Sequence, residues 1–146
     1  MGILNVTPDS FSDGGRFIDP GDAVRHGLEM ADQGASVIDV GAESTRPGSA
    51  PVSAEEEMRR LRPVLRDLIP SLSVPVSVDT MKAEVAEMCI SMGAQIINDV
   101  NGLRGPGMAE VCASSGVYAI IMHMPGSMGT VHAHDMGEGF AEQMRS

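Results

Sequence analysis

Short apolar runs alternate along the chain with longer stretches in which apolar residues return every three or four positions. The runs at 3–6, 36–40, 75–78, 95–98 and 118–122 have the length of strands, and several are rich in Val and Ile. After the first of them, Val24, Leu28 and Ala31 share one face of a helix that starts at 21 or 22 and runs to about 33, with Gly34 at its end. Ser53 and Glu56 form an S-x-x-E capping box. The helix it opens is expected to bury Met58, Leu61, Leu65 and Leu68, and Pro63 within it predicts a kink. Val85, Met88, Cys89 and Met92 mark a third helix that stops at Gly93, and a shorter one spans about 107–115. Strand then helix, repeated, implies βαβ units and a parallel sheet. An internal echo supports this: GASVID at 34–39 and GAQIIN at 93–98 each join a helix-ending Gly to two β-branched residues and a polar strand end.

Composition narrows the class without naming it. The chain has 146 residues, one domain's worth, and no linker or low-complexity segment divides it. Ten basic against twenty acidic residues give a formal charge of −10, and no basic run offsets it. Nucleic acid and anionic membrane are therefore disfavoured as partners, and an anionic substrate would have to be captured by local groups. No apolar run approaches the ~18 residues of a membrane span. The start, MGILNV, carries neither a basic leader nor a small-residue cleavage site, so a cytoplasmic protein is expected. Cys89 and Cys112 have neither disulfide-framework nor metal-site spacing and read as reduced, packed thiols. Twelve Met against four aromatic residues predict a core filled by flexible aliphatic side chains.

Polar residues then fall where the apolar runs stop. Asn5, Asp39, Asp79, Asn98 and His123 lie at or near the carboxyl ends of strands one to five. Catalytic and binding groups collect there both in barrels and in open α/β sheets, so the pattern locates a site without choosing the fold. Asp79 is the first charge after the apolar SVPVSV run and should occupy a partly buried pocket. A buried carboxylate needs donors, and a guanidine-like ring edge offers two parallel N–H groups. Asn98, with one donor group and one acceptor, can read the mixed edge of the same heterocycle. The plainer alternative for Asp79 is a cap on the following helix. The loop Glu43-Ser44-Thr45-Arg46-Pro47-Gly48 combines two hydroxyls and an Arg, which suits an anion. His132, His134 and Asp135 lie within four residues, but nothing fixes their geometry and a polar surface loop is the better reading.

The most informative stretch is MGILNVTPDSFSDGG, at 1–15. A short apolar run ends at Asn5 and a turn-rich polar segment follows, which reads as a buried strand feeding a functional loop. The side-chain carbonyl of Asn5 can serve a hard cation, Asp9 and Asp13 can hold its field, and Phe11 can cover a flat substrate. Together with ESTRPG, SVDT and IINDV in the same order, this stretch resembles the signature of dihydropteroate synthases, the folate-pathway enzymes that join a pterin to p-aminobenzoate.

The resemblance covers essentially the whole chain, read as one pterin-binding domain over 1–146. It implies an α/β fold of the parallel (β/α)8 TIM-barrel type, here incomplete at about five strands where a full barrel takes eight. It further implies transfer of the pterinylmethyl group of 6-hydroxymethyl-7,8-dihydropterin diphosphate to p-aminobenzoate. Residue by residue, Asp79 and Asn98 match the pterin-binding positions, and Val100 and Met122 the apolar lining of that pocket. Thr45 matches the contact to the diphosphate-bearing substrate and Asn5 the ligand of Mg2+; a single Asn suits an ion that prefers phosphate oxygens. Phe11, Asp13 and Arg46 are expected to close over p-aminobenzoate, with Asp13 and Arg46 as catalytic candidates. The family's later elements, with a further Asp, a Lys, an Arg and a His, have no counterpart here, so the isolated chain is expected to be inactive. Its unpaired sheet edges would be covered by dimerisation, with a homodimer expected, or by a separate second half. The rival readings are a pterin-dependent methyltransferase, which has no use for the diphosphate loop, and a non-catalytic pterin-binding or assembly module.

Overall fold

In the computed structural model, which describes residues 1–7, 19–44 and 50–122, five strands form one sheet. They are β1 (Gly2–Asn5), β2 (Ile38–Gly41), β3 (Val76–Asp79), β4 (Ile96–Asp99) and β5 (Tyr118–Ile121). The order is β1-β2-β3-β4-β5 and every pair is parallel. Between them run α1 (Pro20–Asp32), α2 (Ala54–Leu68), α3 (Ala83–Ser91) and α4 (Met108–Ser115). Each helix packs on its successor, α1 on α2, α2 on α3 and α3 on α4, so the helices form one layer over one face of the sheet. Sequential parallel strands with helices on a single side are the wall of a (β/α)8 barrel, and the described residues supply five strands of such a wall.

Local chemistry accounts for the elements. Asp19 caps α1, its Oδ1 accepting from Gly21 N at 2.8 Å, and Pro20 occupies the first turn, where a missing N–H costs nothing. Ser53 caps α2 as its capping box predicts, accepting from Glu56 N at 3.2 Å. The helix continues through Pro63 as one element. A 3-10 turn at Ile69–Ser71, not foreseen from the periodicity, prolongs it towards β3.

The register sorts side chains cleanly, because successive residues of a strand point to opposite faces. Leu4, Val40, Val78 and Ile97 align across β1 to β4, all buried under the helices. Leu61, Val64, Leu65 and Leu68 of α2 meet them at the centre of the core. Gly27 lets α1 approach closely: a Cβ there would stand 2.8 Å from Leu68 Cδ1, so that buried side chain would have to shift. On the opposite face lie the alternate residues, and there Ile3 and Tyr118 at the two edges are largely exposed.

Candidate active site

The site is built from that second face at the carboxyl ends of the strands. The register places Asn5, Gly41, Asp79, Asn98 and Ile120 in one row across all five strands. Asn5 is exposed, while Asp79 and Asn98 are half-buried. Gly41 matters for the gap it leaves. A Cβ added there would lie 3.6 Å from both Asn5 Oδ1 and Asp79 Oδ2, so the absence of a side chain keeps a cradle open between them.

Asp79 does not cap α3; the cap position is Lys82, and Thr80 Oγ1 accepts from Lys82 N. Its carboxyl is pushed up to about 7, chiefly by burial and then by the negative fields of Asp39, Glu57, Asp99 and Glu43. A carboxylate held so reluctantly is poised for a partner that donates two hydrogen bonds.

Asp39 lies near the end of β2, as expected, but not in the row. β2 extends to Gly41, so Asp39 lies one pleat below the row, opposite Ser77, and is 4% exposed. Asn98 Nδ2 donates to Asp39 Oδ2 at 3.0 Å, while Asp39 Oδ1 and the buried Ser77 Oγ have no hydrogen-bond partner among the described residues.

Beside the row stands an ion cluster that sequence reading missed. Lys82 Nζ lies 2.5 Å from Glu43 Oε2 and 2.8 Å from Glu57 Oε2, and Glu57 is fully buried. Glu43 Oε1 also accepts from Val52 N at 3.0 Å, which ties the exit of β2 to the approach of α2. Burial works to lower the Lys82 pKa, but its bonds to Glu43 and Glu57 outweigh that and hold it above the usual lysine value. At the exit of β4, buried Asp99 accepts from Asn101 N at 2.8 Å and Leu103 N at 2.9 Å, shaping the turn that follows Val100.

Of the residues singled out by sequence, the structure thus brings Asn5, Asp79 and Asn98 together. Val100 and Met122 follow the ends of β4 and β5, Val100 half-buried and Met122 exposed. Phe11, Asp13, Thr45, Arg46, His123 and the His132, His134 and Asp135 group lie outside the described residues. Signals for the missed groups were thin. Glu57 reads as one more acid in a helix's first turn, and only its burial against Lys82 reveals otherwise.

A wall of sequential βα units with polar side chains gathered at the carboxyl ends of its strands defines an incomplete enzyme barrel of the (β/α)8 class. The chain belongs to the pterin binding enzyme family, whose sequence model matches residues 1–146. It is 49% identical over 146 residues to the dihydropteroate synthase of Escherichia coli strain K12, covering 99% of this chain and 52% of that one. Among solved structures it resembles the Yersinia pestis dihydropteroate synthase in complex with a sulfonamide drug, with TM-score 0.87 and 42% identity over 99% of this chain and 53% of that one. It also resembles the Xanthomonas albilineans enzyme in complex with 7,8-dihydropteroate, with TM-score 0.74 and 46% identity over 85% of this chain and 45% of that one. The chain spans about half the length of the curated relatives it matches.

Proposed function

We propose that this chain belongs to a dihydropteroate synthase of folate biosynthesis, a transferase. The amine of p-aminobenzoate attacks the methylene of 6-hydroxymethyl-7,8-dihydropterin diphosphate. A C–N bond forms, the C–O bond to diphosphate breaks, and the amine releases a proton to give 7,8-dihydropteroate and diphosphate. Such a displacement needs little covalent help: it needs a held pterin, a neutralised leaving group and a nucleophile in line. The observation that carries this reading is the row in which Asn5, Asp79 and Asn98 stand together at the carboxyl ends of adjoining strands, with Gly41 leaving space among them.

In this reading Asp79 accepts two N–H groups of the pterin's amino-pyrimidine edge, Asn98 pairs with its mixed edge, and Val100 and Met122 line the pocket. Thr45 contacts the diphosphate, and Phe11, Asp13 and Arg46 close over p-aminobenzoate. The donor chemistry fits magnesium: Asn5 Oδ1 is a hard, exposed oxygen beside the cradle that Gly41 leaves. When bound, the ion supplies positive charge to the leaving diphosphate. We further read residues 1–146 as one pterin-binding domain, cytoplasmic and homodimeric. No helix among the described residues is long and apolar enough to cross a membrane, and Ile3, Tyr118 and Ile121 on the outermost strands are exposed apolar groups that a partner would cover.

Calorimetric titration with 7,8-dihydropteroate tests the pterin assignment. Asp79→Asn is expected to weaken binding more than Thr45→Ala does, because the pterin edge loses an acceptor. Equal effects, or tight binding by Asp79→Asn, would sink the roles given to Asp79 and Thr45.

A further inference from the structure

Asn98 and Asp39 are not on neighbouring strands. β3 runs between β2 and β4, and the residue of β3 in register with Asp39 is Ser77. The Asn98 Nδ2 to Asp39 Oδ2 hydrogen bond, at 3.0 Å, therefore bridges over β3 on the site-side face, and a small residue at 77 lets it pass. The bridge is buried at its Asp39 end: Asp39 is 4% exposed and Ser77 beneath it is fully buried, while Asn98 is half-buried. A carboxylate is an acceptor only, so the carboxamide of Asn98 can meet Asp39 only through its nitrogen. The amide is planar and its two polar atoms point apart. With one Nδ2–H committed to Asp39, Oδ1 is turned away from Asp39, on a residue in register with Asp79 of the row that also holds Asn5.

We infer that Asp39 is a positioning residue that locks the Asn98 carboxamide with its acceptor oxygen towards the ligand. The inference rests on the pterin reading above and deepens it. Asp79 and Asn98 then present acceptors side by side, Asp79 to the two N–H groups of an amino-pyrimidine edge and Asn98 Oδ1 to a further ring N–H. A heterocycle whose edge offers donors in that sequence is selected. One that sets a ring acceptor opposite Oδ1 is rejected, because the amide cannot turn over without leaving Asp39 facing an oxygen, while the second Nδ2–H stays available to the acceptor of the mixed edge. A good acceptor left facing another acceptor loses its hydrogen bond and meets like charge.

The test compares the wild-type chain with Asp39→Ala, Asp39→Asn and Ser77→Ala in two measurements. The first is the side-chain amide resonance pair of Asn98, identified by its loss in Asn98→Asp and followed for shift and for exchange with solvent. The second is the dissociation constant for 7,8-dihydropteroate by calorimetry, taken to millimolar ligand. In wild type the bridging Asn98 proton should be shifted and slow to exchange. Asp39→Ala should abolish both features and weaken binding at least tenfold while the protein stays folded, since it also removes a buried carboxylate oxygen that has no partner among the described residues. Asp39→Asn, which can still accept but no longer forces one amide orientation, should fall between the two. Ser77→Ala should leave the Asn98 signal in place. An Asn98 signal unchanged in Asp39→Ala overturns the assignment, and so does a signal lost equally in Ser77→Ala. Binding by wild type that Asp39→Ala leaves within twofold overturns the ligand-orienting role alone. No binding by the wild-type chain overturns the proposed function and this assignment with it.

Discussion

At the scale of single residues, Asp79 governs how the site answers to pH. Its carboxyl titrates near 7 rather than the ordinary 3.8, first because it is buried and then because Asp39, Glu57, Asp99 and Glu43 surround it with negative field. A ligand that donates two N–H groups needs the carboxylate, so below pH 7 binding must expel a proton. Affinity for 7,8-dihydropteroate is expected to fall by up to about tenfold per pH unit as pH drops below 7, readable by titration from pH 8 to 5. The sign is opposite for folding. The folded-state value lies above the unfolded one, so Asp79's contribution to stability is fully present below about 3.8 and is lost as pH rises through 7. Asp79→Asn should accordingly raise the melting temperature of the unliganded chain at pH 8 while it weakens pterin binding; a lower melting temperature would show that Asp79 makes stabilising contacts beyond those described. Gly41 gives a complementary test. Gly41→Ala meets its neighbours no closer than 3.4 Å, so the strand should tolerate it, yet the methyl fills the gap between Asn5 and Asp79. Ligand affinity should drop several-fold with the melting temperature nearly unchanged, and a parallel loss of both would refute the cradle.

Elements are held in place around the site by the Glu43, Lys82 and Glu57 cluster, which joins the exit of β2, the first turns of α2 and the approach to α3. Removing one partner of such a buried group leaves uncompensated charge, so Lys82→Met is expected to cost about 3–5 kcal/mol in chemical denaturation. Lys82→Arg should retain part of that. Since the Lys82 value lies above its unfolded 10.5, this stabilisation should be complete at neutral pH and fade only as pH rises through the raised value. The cluster also shows which parts of the fold the sequence could disclose. Apolar periodicity is a local signal, and it located five strands and four helices to within a few residues. The S-x-x-E cap at Ser53 was visible because both partners lie within one turn. Lys82 and Glu57 are 25 positions apart, and their meeting depends on how α2 lies over the sheet, which no local pattern encodes. The end of β2 is one residue later than the pattern predicts for a related reason, which sets Asp39 one pleat below the row. Gly41 carries no side chain to mark it as strand, so β2 seemed to end at Val40. Asn5, Asp79 and Asn98 were legible because each is the amide or charged residue at which an apolar run stops, and equal strand lengths put them in one row.

For the whole molecule, the sheet and the charge pull function in different directions. The row that faces a pterin is assembled within β1 to β4, and its geometry depends on neighbouring strands that are present. A diphosphate, by contrast, is a dense anion arriving at a chain of formal charge −10, beside Asp39, Glu43, Glu57, Asp79 and Asp99. Lys82 cannot offset that field freely, because its ammonium is already held by Glu43 and Glu57. Pterin recognition and diphosphate activation should therefore separate in the 146-residue polypeptide. Taken alone, it should bind 7,8-dihydropteroate weakly and show negligible synthase turnover when supplied with pterin diphosphate, p-aminobenzoate and magnesium. Each preorganised donor that a leaving group lacks is worth about 10²–10³ in rate, so a diphosphate short of two or three such donors would leave turnover below detection. Supplying the remaining barrel strands as a separate polypeptide should restore diphosphate release if they complete the wall at its β1 and β5 edges. Robust release by the 146-residue chain alone, measured as free diphosphate, would mean that Asn5, Thr45, Arg46 and a bound magnesium ion suffice to neutralise the leaving group.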